Sequence, residues 1–175
     1  MIIDSLRRAY APALSALAVS LVLIALTTPS RGQTPSPDDS RQIEMGKEIF
    51  KYKANCQSCH KWDGAGDQGY GGIALSIRKT ALSPEQVTEI IKCGRPMTGM
   101  PYFDQFAYTD KRCYDYTRED LGKNMPQMGE PLQAREVGAV VKYLFARVVG
   151  RDATTYEECV DFWGTDTRQC EPYKK

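Results

Sequence analysis

Two cysteines and a histidine sit together in Cys56-Gln57-Ser58-Cys59-His60. Two thiols three positions apart, followed at once by an imidazole, make the C-x-x-C-H pattern by which c-type haem is attached. The thiols add to the two vinyl groups of one porphyrin, and the histidine ligates the iron on one face. A redox dithiol or half of a zinc site would use the same cysteines, but a zinc site needs two further ligands at close spacing, and none follows. His60 is the only histidine in the chain. Bis-histidine ligation and a second haem with its own histidine are therefore excluded within one chain. Methionine, a weaker ligand or an open position must lie opposite His60.

Thioether sulfur is a soft ligand that favours ferrous iron and raises the reduction potential. Of the six methionines, Met1 lies in the N-terminal segment that reads as an export signal and Met45 precedes the haem motif, which leaves Met97, Met100, Met125 and Met128. A ligand must come from a rigid loop, and a proline directly after the methionine supplies rigidity by fixing its own φ. Two candidates meet that condition: Met100 in Gly99-Met100-Pro101-Tyr102-Phe103, and Met125 in Asn124-Met125-Pro126.

The remaining cysteines are Cys93, Cys113, Cys159 and Cys170, an even number that allows three pairings. Such a count in a chain of 175 residues points to an oxidising compartment. Proximity in sequence favours Cys93–Cys113 and Cys159–Cys170. The N-terminus agrees: Arg7 and Arg8 precede an apolar run from Ala9 to Leu26, and Thr27 to Gly32 breaks it. Residues 1–32 read as a signal peptide, with Ser30 and Gly32 placed for cleavage, or as an uncleaved membrane anchor. The net charge is +1, which leaves no electrostatic footprint for nucleic acid.

The elements that must position these groups follow from periodicity. Residues 33–40 read as a polar linker, with Ser40 capping a helix over 41–55 whose apolar face is Ile43, Gly46, Ile49 and Phe50. Residues 61–72 read as a loop. Ser83-Pro84 starts a second helix, with Val87, Ile90 and Ile91 on its apolar face, and Gly94 ends it. Residues 95–131 show little periodicity, with one short helix predicted near 118–122. A last helix over 133–149 carries Val137, Val140, Val141, Leu144 and Val148, and Gly150 closes it. Residues 151–175 form a C-terminal extension folded back and tied by Cys159–Cys170.

Over residues 41–149 the chain resembles the single-haem class I cytochromes c of bacteria. In that family a helix ends in Gly-Arg and a Met-Pro-x-Phe segment supplies the ligand; here Cys93-Gly94-Arg95 precedes Met100-Pro101-Tyr102-Phe103. Gly46 and Phe50 match the family's first helix, and Glu136, Tyr143 and Leu144 its last. The resemblance implies an all-α fold, few helices wrapped around one covalent haem c, with a loop insertion before the last helix. It implies His60 and Met100 as axial ligands, with Met125 as the alternative. The family's Gly-Pro, whose carbonyl orients the proximal histidine, is replaced by Gly71-Gly72-Ile73, so Gly72 is expected to serve. Arg95 and Tyr102 are candidates for the haem propionates, and Trp62 for the haem edge. Ile73, Leu75, Ile90, Val141 and Leu144 are candidates for the crevice. Lys47, Lys51, Lys53 and Lys61 are candidates for a cationic ring facing an acidic partner.

The expected work is one-electron transfer rather than enzymatic catalysis. The expected partners are redox proteins: a dehydrogenase as donor, an oxidase or another cytochrome as acceptor. The expected place is the periplasm, soluble or tethered to the membrane. A fixed subunit of a dehydrogenase or oxidase is the alternative, and a gas-binding or peroxidatic haem protein a more distant one.

Overall fold

The computed structural model of the protein describes residues 36–165 and 167–174. The export segment read at residues 1–32 lies outside them. Helix α1, Pro37–Glu48, begins earlier than the sequence predicts. Ser36, not Ser40, is its cap. The Ser36 hydroxyl accepts from the Asp39 amide and the Asp39 carboxylate accepts from the Ser36 amide, with Pro37 at the first position. What reads as a Pro- and Asp-rich linker is thus a capped first turn. The helix passes into a π-helical turn, Ile49–Lys53, that buries Ile49, Phe50 and Lys51 just before the haem motif. Such turns are frequent at functional sites.

Helix α1 crosses α5, Ala134–Arg147, at Gly46. A Cβ there would run into the Ala139 carbonyl and stand 2.8 Å from Tyr143 Cβ, so only glycine allows this approach. Phe50 is fully buried and packs against Tyr143 with ring centroids 5.7 Å apart. Ile43, Ile49, Val137, Val140, Val141 and Leu144 complete the seam. Helix α3, Pro84–Cys93, is capped by Ser83 and Gln86 and adds Val87 and Ile91 to the same core. The expected helices are therefore present, and the cytochrome-like crossing of first and last helices with them.

Three regions depart from the sequence reading. First, the stretch after the haem motif contains a two-stranded antiparallel hairpin, β1 Asp67–Gly69 and β2 Gly72–Ala74. Gly69 pairs with Gly72, which leaves Tyr70-Gly71 as a two-residue turn. Second, the 95–131 stretch is not a loose loop. It holds the short helix α4, Arg118–Leu121, close to the predicted position. It also has its own small core of Cys93, Tyr102, Ala107, Tyr108, Cys113 and Leu121. Third, the C-terminal extension is helical: α6, Tyr156–Trp163, then a 3-10 turn over Arg168–Tyr173, closed by Cys159–Cys170.

That extension takes two of the four lysines expected in a cationic ring, Lys47 and Lys51. Lys47 Nζ donates to the Asp161 carbonyl at 2.8 Å and Lys51 Nζ to the Phe162 carbonyl at 2.9 Å. Both lysines are buried. They satisfy carbonyls in the last turn of α6, where the helix leaves acceptors unpaired and carries partial negative charge. Lys51 also sits over the rings of Tyr52, Phe162 and Trp163, 4.8–5.1 Å from their centroids. Lys53 pairs with Glu136 at 2.8 Å. The spacing of lysines around the motif could not reveal that a segment more than a hundred residues downstream consumes Lys47 and Lys51. A buried Arg78 completes the attachment, donating to the carbonyls of Asp63 and Asp152 and to the Glu158 carboxylate.

Candidate haem site

The haem motif forms a single helical turn, α2, Gln57–His60, held by His60 N–H donating to the Cys56 carbonyl at 2.9 Å. The Gln57 side chain donates to the Lys51 carbonyl at 2.8 Å, which ties this turn to the end of the π turn. Four cysteines are paired, as Cys93–Cys113 and Cys159–Cys170, while Cys56 and Cys59 are free thiols. Burial pushes the Cys56 thiol up to about 12, so before attachment it is a protonated, weakly nucleophilic thiol.

The hairpin lies directly on this turn. Gly71 N–H donates to the Ser58 carbonyl at 2.8 Å. A Cβ at Gly71 would stand 2.7 Å from Ser58 Oγ and 3.1 Å from Cys59 Sγ. Gly72 adopts φ +138 and closes the hairpin. The carbonyl that reaches His60 therefore belongs not to Gly72 but to Leu75, at the end of β2: His60 Nδ1 lies 3.0 Å from Leu75 O. With the proton on Nδ1 this is a donated hydrogen bond that fixes the ring and leaves Nε2 as the ligating nitrogen. Burial lowers the His60 pKa, the Leu75 carbonyl opposes that, and the Arg95 charge lowers it further. The neutral imidazole is the form that binds a metal.

These residues fit a covalently held haem. The two cysteines of the motif are free where all the others are paired. His60 is oriented through one nitrogen. Beside it Ile73 and Leu75 present apolar side chains that are 81% and 75% exposed, a surface that a porphyrin would cover. Val141 and Leu144, also expected at the crevice, are buried in the main core, and Ile90 is half-buried.

The structure also brings the two Met-Pro segments together. Met97 N–H donates to the Asn124 carbonyl, Tyr102 N–H to the Gln127 carbonyl, and Gly129 N–H to the Tyr102 carbonyl, at 2.8–3.0 Å. Tyr102 and Met128 form a parallel bridge. Met125 packs against the second small core. Met100 is half-buried and, among the described residues, belongs to neither apolar cluster. Met97 and Met128 are exposed. Tyr102 is buried and meets Tyr108 edge-on at 5.7 Å, so its ring is used in packing. Trp62 is half-buried and packs against Phe162 and Tyr173 of the extension, at 5.7 and 5.6 Å. A cavity of about 260 Å³ lined by Trp62, Arg78, Tyr143, Arg147, Glu158 and Phe162 lies under that extension and includes neither His60 nor either Met-Pro segment.

Sequence reasoning missed Leu75, because a backbone carbonyl leaves no mark in residue type. It also missed the hydroxyls of Tyr108 and Tyr114, which donate to the carbonyls of Cys93 and Gly94 at 2.6 and 2.9 Å.

Residues 41–116 match the family model described as cytochrome C oxidase, cbb3-type, subunit III. The match begins within α1, spans the haem motif, α3 and Met100, and stops before Met125 and α5. No curated protein and no solved structure matches the chain. The largely helical fold, the motif and the match together support a c-type cytochrome domain, and such a domain implies haem-based electron transfer. A domain of this type binds covalent haem c. Among the described residues no helix is long and apolar enough to cross a membrane.

Proposed function

We propose that this chain is a one-electron carrier with a single haem c, thioether-linked at Cys56 and Cys59 and ligated by His60 and Met100. The reading places it in the periplasm, between a donor such as a dehydrogenase and an acceptor such as an oxidase or another cytochrome. The observation that carries it is the free C-x-x-C pair beside a histidine held through Nδ1 by the Leu75 carbonyl. Bound haem supplies a ferric–ferrous couple. The chain's own residues do the rest. Leu75 holds the imidazole ring, Ile73 and Leu75 offer an apolar face, and the Pro101 ring stiffens the loop carrying Met100. Met100 is preferred to Met125 because Met125 is already committed to packing. Arg95, whose charge lowers the His60 pKa, is the residue proposed to pair with a propionate.

The test is visible spectroscopy of the purified holo-protein in both redox states. A weak sulfur–iron charge-transfer band in the ferric form, lost in Met100→Ala and kept in Met125→Ala, is the expected result. A high-spin ferric spectrum with ready carbon monoxide binding after reduction would sink the carrier reading in favour of a gas-binding protein.

A second reading, a fixed electron-transfer subunit of an oxidase, is favoured by the description of the matched family. It requires the native protein to run with larger partners on gel filtration of a mild detergent extract. The free carrier runs alone.

A further inference from the structure

Residues 104–116 carry no haem-attachment group, yet they make three connections to one point. Cys113 is disulfide-bonded to Cys93. Tyr108 Oη donates to the Cys93 carbonyl at 2.6 Å, and Tyr114 Oη to the Gly94 carbonyl at 2.9 Å. Cys93 and Gly94 are the hinge where α3 ends and the chain turns into the Met100 segment. The hinge is tight. Gly94 is in a left-handed conformation, φ +64, and a Cβ there would stand 2.8 Å from the Pro101–Tyr102 backbone passing over it. Arg95 N–H donates to the Met100 carbonyl at 3.2 Å, closing the turn that bears the methionine.

An independent observation marks the same two tyrosines. Tyr108 and Tyr114 have φ of +63 and +55, left-handed values that bulky side chains rarely adopt. Strain of this kind persists where surrounding contacts over-determine it, and it concentrates at functional sites. Burial also raises the pKa of both phenols, so both remain hydrogen-bond donors through the neutral range.

We infer that residues 104–116 are a clasp, in which Tyr108 and Tyr114 are positioning residues that hold the Cys93–Gly94 hinge so that the Met100 sulfur stays on the iron and small exogenous ligands stay off it. The inference rests on Met100 as the sixth ligand. The clasp does not touch the haem; it acts by limiting how often the hinge opens. A carrier gains from this because an axial ligand that never leaves keeps the iron's surroundings alike in both oxidation states.

The experiment follows the ferric holo-protein at fixed pH after addition of cyanide. The loss of the sulfur–iron band gives the rate of methionine displacement. Tyr108→Phe and Tyr114→Phe each remove one hydroxyl and keep the ring. Each is expected to speed displacement about three- to tenfold, the effect of losing one net hydrogen bond, and to lower the reduction potential. Tyr156→Phe, in the extension, is expected to change neither. If Tyr108→Phe does not accumulate as holo-protein, the half-buried Tyr114 carries the test. A wild-type protein without the band overturns the Met100 reading, and the clasp with it. A wild-type band with unchanged displacement rates in folded variants overturns the clasp alone, even if their melting temperatures fall.

Discussion

On the His60 side of the site, every group that orients the ligand lies within twenty residues of it. Cys56, Cys59, His60, the hairpin and the Leu75 carbonyl follow one another along the chain, joined by backbone hydrogen bonds. On the Met100 side, the supports come from Cys93, Tyr108, Cys113 and residues 124–129, and they are joined by a disulfide, phenolic hydroxyls and strand-like bridges. The first side is local and anchored to the main core through Phe50 and Trp62. The second has its own core of six residues, too few to hold a loop firmly without covalent help. The surroundings of His60 are built as part of the fold, whereas those of Met100 are built as an attachment to it.

The largest effect tests the local side. Cys56→Ala with Cys59→Ala is expected to abolish covalent haem altogether, read as loss of haem from the polypeptide on a denaturing gel. Retention of covalent haem would end the contrast at its root.

Next comes the choice between disulfides. Cys159→Ala with Cys170→Ala opens a loop of separation 11 and is expected to cost about 3 kcal/mol in urea unfolding. It should also release Trp62, seen as a red-shifted tryptophan emission, while the sulfur–iron band stays. If that band vanished, the two halves would not be separately supported.

A smaller change strikes the scaffold both sides share. Gly46→Ala puts a methyl against the Ala139 carbonyl. A destabilisation of about 1–3 kcal/mol is expected from overpacking, with an unaltered spectrum in the folded fraction. A shifted spectrum would show that the helix crossing also sets the ligand geometry.

The smallest effect lies at the far end of α1. Hydrogen bonds from Lys142 and Ser36 hold the Asp39 carboxyl down at about 2. A depressed folded-state value means the contribution is fully present above the unfolded carboxylate value of about 4 and fades as pH falls towards about 2. Asp39→Asn should therefore flatten the acid limb of the stability curve between those values and leave neutral-pH spectra alone. An unchanged acid limb would show that this exposed pair contributes nothing measurable.

What the sequence disclosed follows the same division. The haem motif, the capped α3 and the last helix were legible because each depends on residues close together in the chain. The start of α1 was misread by four residues because Ser36 and Ser40 both qualify as caps. The hairpin escaped notice because glycines at 69, 71 and 72 suggest a loop equally well. The burial of Lys47 and Lys51 depends on α6, and the pairing of the two Met-Pro segments on strand-like contacts between stretches without periodicity; neither has a local signature. The competition between Met100 and Met125 was visible as two Met-Pro pairs. Their different surroundings were not.

The packing of Trp62 against Phe162 and Tyr173 also makes the flank of the haem motif a borrowed surface. Its cover comes from residues far downstream, and the Cys159–Cys170 disulfide keeps that cover folded. Undocking the extension would bare Trp62, close to His60 in the chain, without breaking a bond in the motif itself.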